Sequence, residues 1–146
     1  MGVIITDRFY KRWFFMTRSE ARRNAFLYVF QIYANDDVFM DEPIDLEDDL
    51  VLDSDVFTKQ IVDTTLEHIE EIDDVIVSSL KGWTIDRLSK VSLAILRISI
   101  AQMLYMKDIP VGVVINEAVE LSKHFGDKDD YQFINGSLSK IEKSIK

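Results

Sequence analysis

Two stretches of this 146-residue chain carry side chains of the kind that bind a nucleic-acid strand. In MTRSEARRNAF, residues 16–26, Arg18, Arg22 and Arg23 crowd the opening of a helix. Guanidinium groups stay charged and match phosphate oxygens with paired donors. They sit badly for the helix itself, whose dipole favours acids at that end. An anion ligand would account for them; so would a solvated basic helix end. The second stretch is DDYQFINGSLSK, residues 129–140. At ~100° per residue, Asp129, Phe133, Gly136 and Lys140 share a strip away from the apolar stripe of Ile134, Leu138, Ile141 and Ile145. Phe133 could stack on an unpaired base and Lys140 could meet a phosphate. A glycine inside a helix costs ~1 kcal/mol relative to alanine, so Gly136 points to close approach of something. A neighbouring helix packed there is the competing explanation, and spacing does not separate the two.

Other chemistry finds no support. His68 and His124 are the only histidines, and neither stands in a metal-ligand spacing. Both read as surface or helix-end residues. Glu70–Glu71 and Asp73–Asp74 lie on a helix without an apolar pocket to shift a pKa, so they read as solvated faces. Gly-rich phosphate loops are absent, and there is no cysteine for a disulfide, a thiolate metal site or a nucleophile. The expectation is a protein with no catalytic residues, no metal and no cofactor.

The elements that must position the two stretches are helices. Glycines number five and prolines two, while 47% of residues are apolar, which suits one domain with a packed core. Ala21, Ala25, Val29 and Ile32 share a face of a first helix over Thr17–Ala34, with Leu27, Phe30 and Arg23 roughly opposite. Those opposite residues are either a second buried face or an apolar patch for a protein partner. Residues 36–55 hold ten acids and a proline and read as a loop. One long helix is predicted from Asp55 to Leu80, ended by Gly82 at a C-cap position. From Ile85 to Met106 the pattern is apolar all round, which marks the buried central helix. A helix from Val111 to Phe125, and a last one from about Asp129, complete an all-α bundle.

Charge is divided between segments. Residues 1–35 hold six Lys/Arg against two Asp/Glu, and residues 36–146 hold eleven against twenty-four, within a net charge of -9. That is a basic end on an acidic body. No apolar run reaches the ~20 residues of a membrane span, and the N-terminus lacks a signal-peptide pattern, so a soluble cytoplasmic protein is expected.

Three segments go further. ARRNAFLYVFQI, KGWTIDRLSKVSLAILRISI and IPVGVVINEAVELSKHFGDKDDYQFINGSLSKI together resemble the NusB family of bacterial transcription antitermination factors, over about Thr17–Ile141. The resemblance implies two small helical subdomains and no catalysis. It implies binding of single-stranded boxA-type leader RNA jointly with a small-subunit ribosomal protein that doubles as NusE. The assembly then keeps the RNA polymerase elongation complex processive across ribosomal RNA operons. Arg18 and Arg22 match the family's basic arm, and Asp129, Gln132 and Phe133 match its RNA-binding helix start. Phe30 and Arg97 fit the partner-binding pattern, whereas Ser92 replaces a family acid that helps hold the ribosomal protein. Asp130 stands where a small polar residue is common. Family members commonly begin near Met16, so residues 16–146 are expected to form the working domain. MGVIITDRFYKRWFF, residues 1–15, is expected to be dispensable; its competing reading is an extra RNA-binding arm, with Tyr10 and Trp13 stacking on bases. The alternative function is a helical protein–protein adaptor without RNA of its own. The helical domain attached to ribosomal RNA methyltransferases is disfavoured, because no cofactor-binding domain follows the last helix.

Overall fold

The first helix is set by its opening residues. In the computed structural model, which describes residues 17–34, 55–82 and 84–145, helix α1 runs over Arg18–Ala34. Thr17 Oγ1 accepts the Glu20 amide at 3.0 Å and donates to the Glu20 carboxylate at 3.3 Å. This reciprocal pair satisfies an N–H group that the first turn would otherwise leave open. Ala21, Ala25 and Val29 are buried as their spacing predicts, and Phe26 joins them. The expectations for residues 1–15 and for the acidic loop lie outside the described residues, Asp55 excepted.

Asp55 caps the next helix, accepting the Phe57 amide at 3.1 Å. The long helix predicted from Asp55 to Leu80 is two helices, α2 (Val56–Glu67) and α3 (Ile69–Ser79), broken at His68. Phe57, Ile61 and Thr65 are buried before the break, and Ile72 and Ile76 after it. Seven residues separate Thr65 from Ile72, about two turns, so the stripe continues in phase and conceals the break. Thr65 Oγ1 donates to the Ile61 carbonyl at 2.7 Å, a back-bond that loosens the helix just before His68. Gly82 takes the left-handed conformation (φ 74°), two residues beyond the Leu80 cap rather than at the cap itself.

The predicted helix from Ile85 to Met106 is shorter than its apolar pattern. Ile85–Arg87 forms a 3-10 turn, and Leu88 is extended. Ser89 then accepts the Ser92 amide at 3.0 Å to start α4 (Lys90–Tyr105). Ten consecutive residues of α4, Ala94 to Met103, are buried. Pro110 precedes α5 (Val111–Phe125), and α6 spans Asp130–Ile145. Gly126 joins α5 to α6 so tightly that a Cβ there would lie 2.8 Å from the Ser122 carbonyl oxygen. Helices α1 and α2 pack on each other and on α4, while α3 and α5 each pack on α4 and α6. Two small helical subdomains thus share one buried helix, in the all-α architecture that the sequence predicts. No helix among the described residues is long and apolar enough to cross a membrane.

Candidate nucleic-acid interface

The three arginines of α1 part company. Arg18 is exposed, with its guanidinium carbon 3.9 Å from the centroid of the Phe57 ring. Arg22 lies on the same ring at 5.1 Å but is only 4% exposed. Its Nε donates to Gln102 Oε1 at 2.8 Å, tying α1 to the central helix. Burial pushes its pKa down, the charge of Glu117 pushes it up, and Arg18 beside it adds a repulsion that lowers it. Arg22, expected as a phosphate contact, is a buried residue that ties α1 to α4 in this structure. Arg23 is exposed on the flank facing α5, beside a 210 Å³ depression whose lining includes Glu117 and Glu120. Phosphate binding there would compete with two carboxylates.

On α6 the predicted strip is only partly open. Asp129 and Gln132 are exposed, and the Gln132 amide donates to the Asp129 carbonyl at 3.2 Å. Phe133 is half-buried against the core, so stacking and packing both claim its ring. Lys140, expected as a phosphate contact, is exposed, and its Nζ donates to the Ser79 carbonyl at the end of α3 at 3.3 Å. Gly136 is exposed, and a Cβ there would meet nothing within 4 Å. No neighbouring element has claimed that space. Helices α1 and α6 share no extensive interface and are joined through α4 and α5.

The expected partner residues are more structural than their positions suggest. Phe30 is half-buried, 5.9 Å from the Phe26 ring, which lies 5.0 Å from Phe125. Ser92 is buried and holds no free face for a partner. Arg97 is 8% exposed and grips Asp73 through two 2.9 Å bonds, with Tyr33 4.4 Å away across its guanidinium. Ser92 and Arg97, expected as partner contacts, lie within the scaffold of this structure, with Arg97 joining α4 to α3 and α1. Asp73 is a structural anchor rather than a solvated acid.

Two features escaped the sequence pattern. His68, at the helix break, stacks on Tyr105 with centroids 3.8 Å apart, and its Nδ1 lies 2.9 Å from Glu71. Tyr105 donates to the same carboxylate at 2.6 Å, which holds the Glu71 pKa down and pushes the Tyr105 pKa up to about 12. The second feature is a groove of about 520 Å³ between α5 and α6, lined by Gly112, Ile115, Asn116, Val119, Lys123, Tyr131, Gln132, Asn135 and Gly136. Of its asparagines and glycines only Gly136 is marked by periodicity; Asn116, Asn135 and Gly112 fall outside any hydrophobic stripe and carry no such signal. Among the described residues no three metal-ligating side chains come together.

The chain can be set beside known proteins on this geometry. The sequence profile of the NusB family matches residues 19–143. A transcription antitermination protein NusB from Exiguobacterium is 45% identical over 128 residues, covering 88% of this chain and 98% of the relative. Its Bacillus subtilis counterpart is 40% identical over 132 residues, covering 89% and 98%. A solved complex of the antitermination factors NusB and NusE with dsRNA is similar at 34% identity, with a TM-score of 0.73, over 87% of this chain and 96% of that one. Since the match runs from the first turn of α1 to the last turn of α6, the chain belongs to the NusB family.

Proposed function

We propose that this protein is a transcription antitermination factor that binds boxA-type leader RNA together with the ribosomal protein NusE. In that assembly it keeps RNA polymerase processive on ribosomal RNA operons. The observation that carries the reading is the exposed Arg18 guanidinium, stacked on the Phe57 ring at the start of α1. A charged, planar group held in place on a bundle of net charge -9 attracts phosphates locally, while the acidic body resists unselective anion binding. Asp129, Gln132 and Phe133 supply the second patch, with Phe133 offering part of its ring to a base. Arg23 acts as a subsidiary charge beside its acidic neighbours. For NusE, the edge of α1 around Phe30 is the docking surface, on a scaffold held by Arg97 and Ser92. Residues 16–146 form the working domain in this reading.

The test is a titration of labelled single-stranded boxA-like RNA with the full chain, alone and with the purified ribosomal protein. Tighter RNA binding with the partner present is the expected result. The relative solved with dsRNA favours a second form of the ligand, so a duplex of the same sequence belongs in the titration. Absence of any RNA binding, with the ribosomal protein still bound, would leave a protein adaptor instead.

A further inference from the structure

We infer that the groove between α5 and α6 is a pocket for one unstacked nucleobase of the bound RNA, an inference that rests on the RNA-binding reading above. Three depressions on the described surface can be compared by what lines them. The one beneath Arg18 includes Asp55, and the one beside Arg23 includes Glu117 and Glu120. The α5–α6 groove has no carboxylate in its lining, although the chain holds 26 Asp/Glu. Lys123 is its only charged lining residue. Such a surface suits a neutral base attached to an anionic backbone.

The walls carry the matching chemistry. Asn116, Gln132 and Asn135 are exposed carboxamides, each with a donor and an acceptor. Groups of this kind read the edges of splayed-out bases in single-stranded RNA. Ile115 and Val119 supply apolar contact for the face of the ring. Tyr131 is half-buried at one end, with the Lys123 ammonium 5.1 Å from its ring centroid, so an aromatic face and a phosphate-binding cation stand together. Lys123 also lies 3.9 Å from Glu120, an exposed pair of little strength that a phosphate can displace. At about 520 Å³ the groove has the capacity of a small-molecule site.

Two glycines keep it open. A Cβ added at Gly112 or Gly136 would meet nothing within 4 Å. Both therefore leave room for something outside the chain, at the helix-propensity cost that alanine would avoid. Gln132 belongs both to the groove and to the exposed edge of α6, so a strand crossing Asp129 and Gln132 reaches the pocket without a gap.

The glycines also make the test clean. Gly112→Leu and Gly136→Leu place bulk in the groove from positions where a Cβ meets nothing within 4 Å, and the melting temperature should hold or rise. Single-stranded RNA affinity should fall at least tenfold in the double variant. Asn135→Asp, which keeps the side-chain shape and replaces a donor with a charge, should fall similarly. A series of RNAs with one abasic position each should weaken wild-type binding most at a single position. That same change should have no further effect in the groove-filled protein. Unchanged RNA affinity in the filled variant, with Arg18→Ala still weakening it, would overturn the pocket and leave the RNA-binding reading standing. Loss of NusE binding alone would overturn it too, by making the groove a protein interface. RNA affinity unmoved by either the groove variants or Arg18→Ala would sink both.

Discussion

Helices α1 and α6 each begin with polar residues that the proposed function assigns to RNA, yet they prepare their surfaces in opposite ways. Helix α1 builds its patch by burial: Arg22 is packed under Phe57 and bonded to Gln102, and this leaves Arg18 projecting over the ring. Helix α6 builds its patch by omission. Gly136 opposes no protein atom within 4 Å, and the carboxamides beside it stay exposed. A charged platform needs a fixed charge, because each freely rotating arginine loses side-chain entropy on binding. A base-reading surface needs space and solvent-facing hydrogen-bonding groups, and the Gln132 side-chain amide here spends one donor on the Tyr131 hydroxyl at 3.3 Å. The difference predicts that mutation of Arg22 acts through stability, while mutation of Arg18 or of the second patch acts through the ligand.

The strongest break in this contrast is Arg22→Ala. It strands the Gln102 acceptor inside the protein at a cost of about 1–3 kcal/mol, to which lost packing of the arginine stem adds. Urea unfolding should show the loss. Phe133→Ala sharpens the contrast from the other side. It should cost about 1–3 kcal/mol of RNA binding. Because the ring is only half-buried, its folding cost should stay below the ~3–5 kcal/mol of a fully buried phenylalanine. RNA affinity unchanged beside a large stability loss would make Phe133 a core residue only.

Removing residues 1–15 should do far less. A chain starting at Met16 is expected to melt at the same temperature and to bind RNA within about twofold of the full chain. A tenfold loss, ~1.4 kcal/mol, would make the extension part of the site. The smallest effect belongs to Tyr105, remote in role from both patches. Its pKa is raised from 10.0 to about 12, so its bond to Glu71 supports the fold below pH 10 and is lost as the pH rises toward 12. Wild type should therefore lose slightly more stability than Tyr105→Phe across that alkaline window.

What the sequence made legible follows from what periodicity can see. The central helix is plain, because Ala94 to Met103 bury every face and the apolar residues say so. The helix break at His68 is hidden, since Thr65 and Ile72 fall on one face whether or not the chain bends between them. Arg22 misleads for a different reason. A charged residue reads as exposed unless its partner is known, and Gln102 stands 80 positions away. Arg97 and Asp73 repeat the lesson at a separation of 24. The exposed edge of α6 is visible as residues the core stripe does not need, whereas the groove beside it depends on how α5 packs, which no local pattern encodes.

In the proposed function Arg18 meets the RNA backbone, while buried Arg22 serves the fold. The most direct measurement is the salt dependence of RNA affinity for wild type, Arg18→Ala and Arg22→Ala, each checked for folding. The account predicts a log–log slope shallower by roughly 0.7 for Arg18→Ala, one lost phosphate contact on a single strand. For Arg22→Ala it predicts lowered stability and a slope close to wild type in the folded fraction. An unchanged slope for Arg18→Ala, or the 0.7 loss appearing at Arg22 instead, would contradict it.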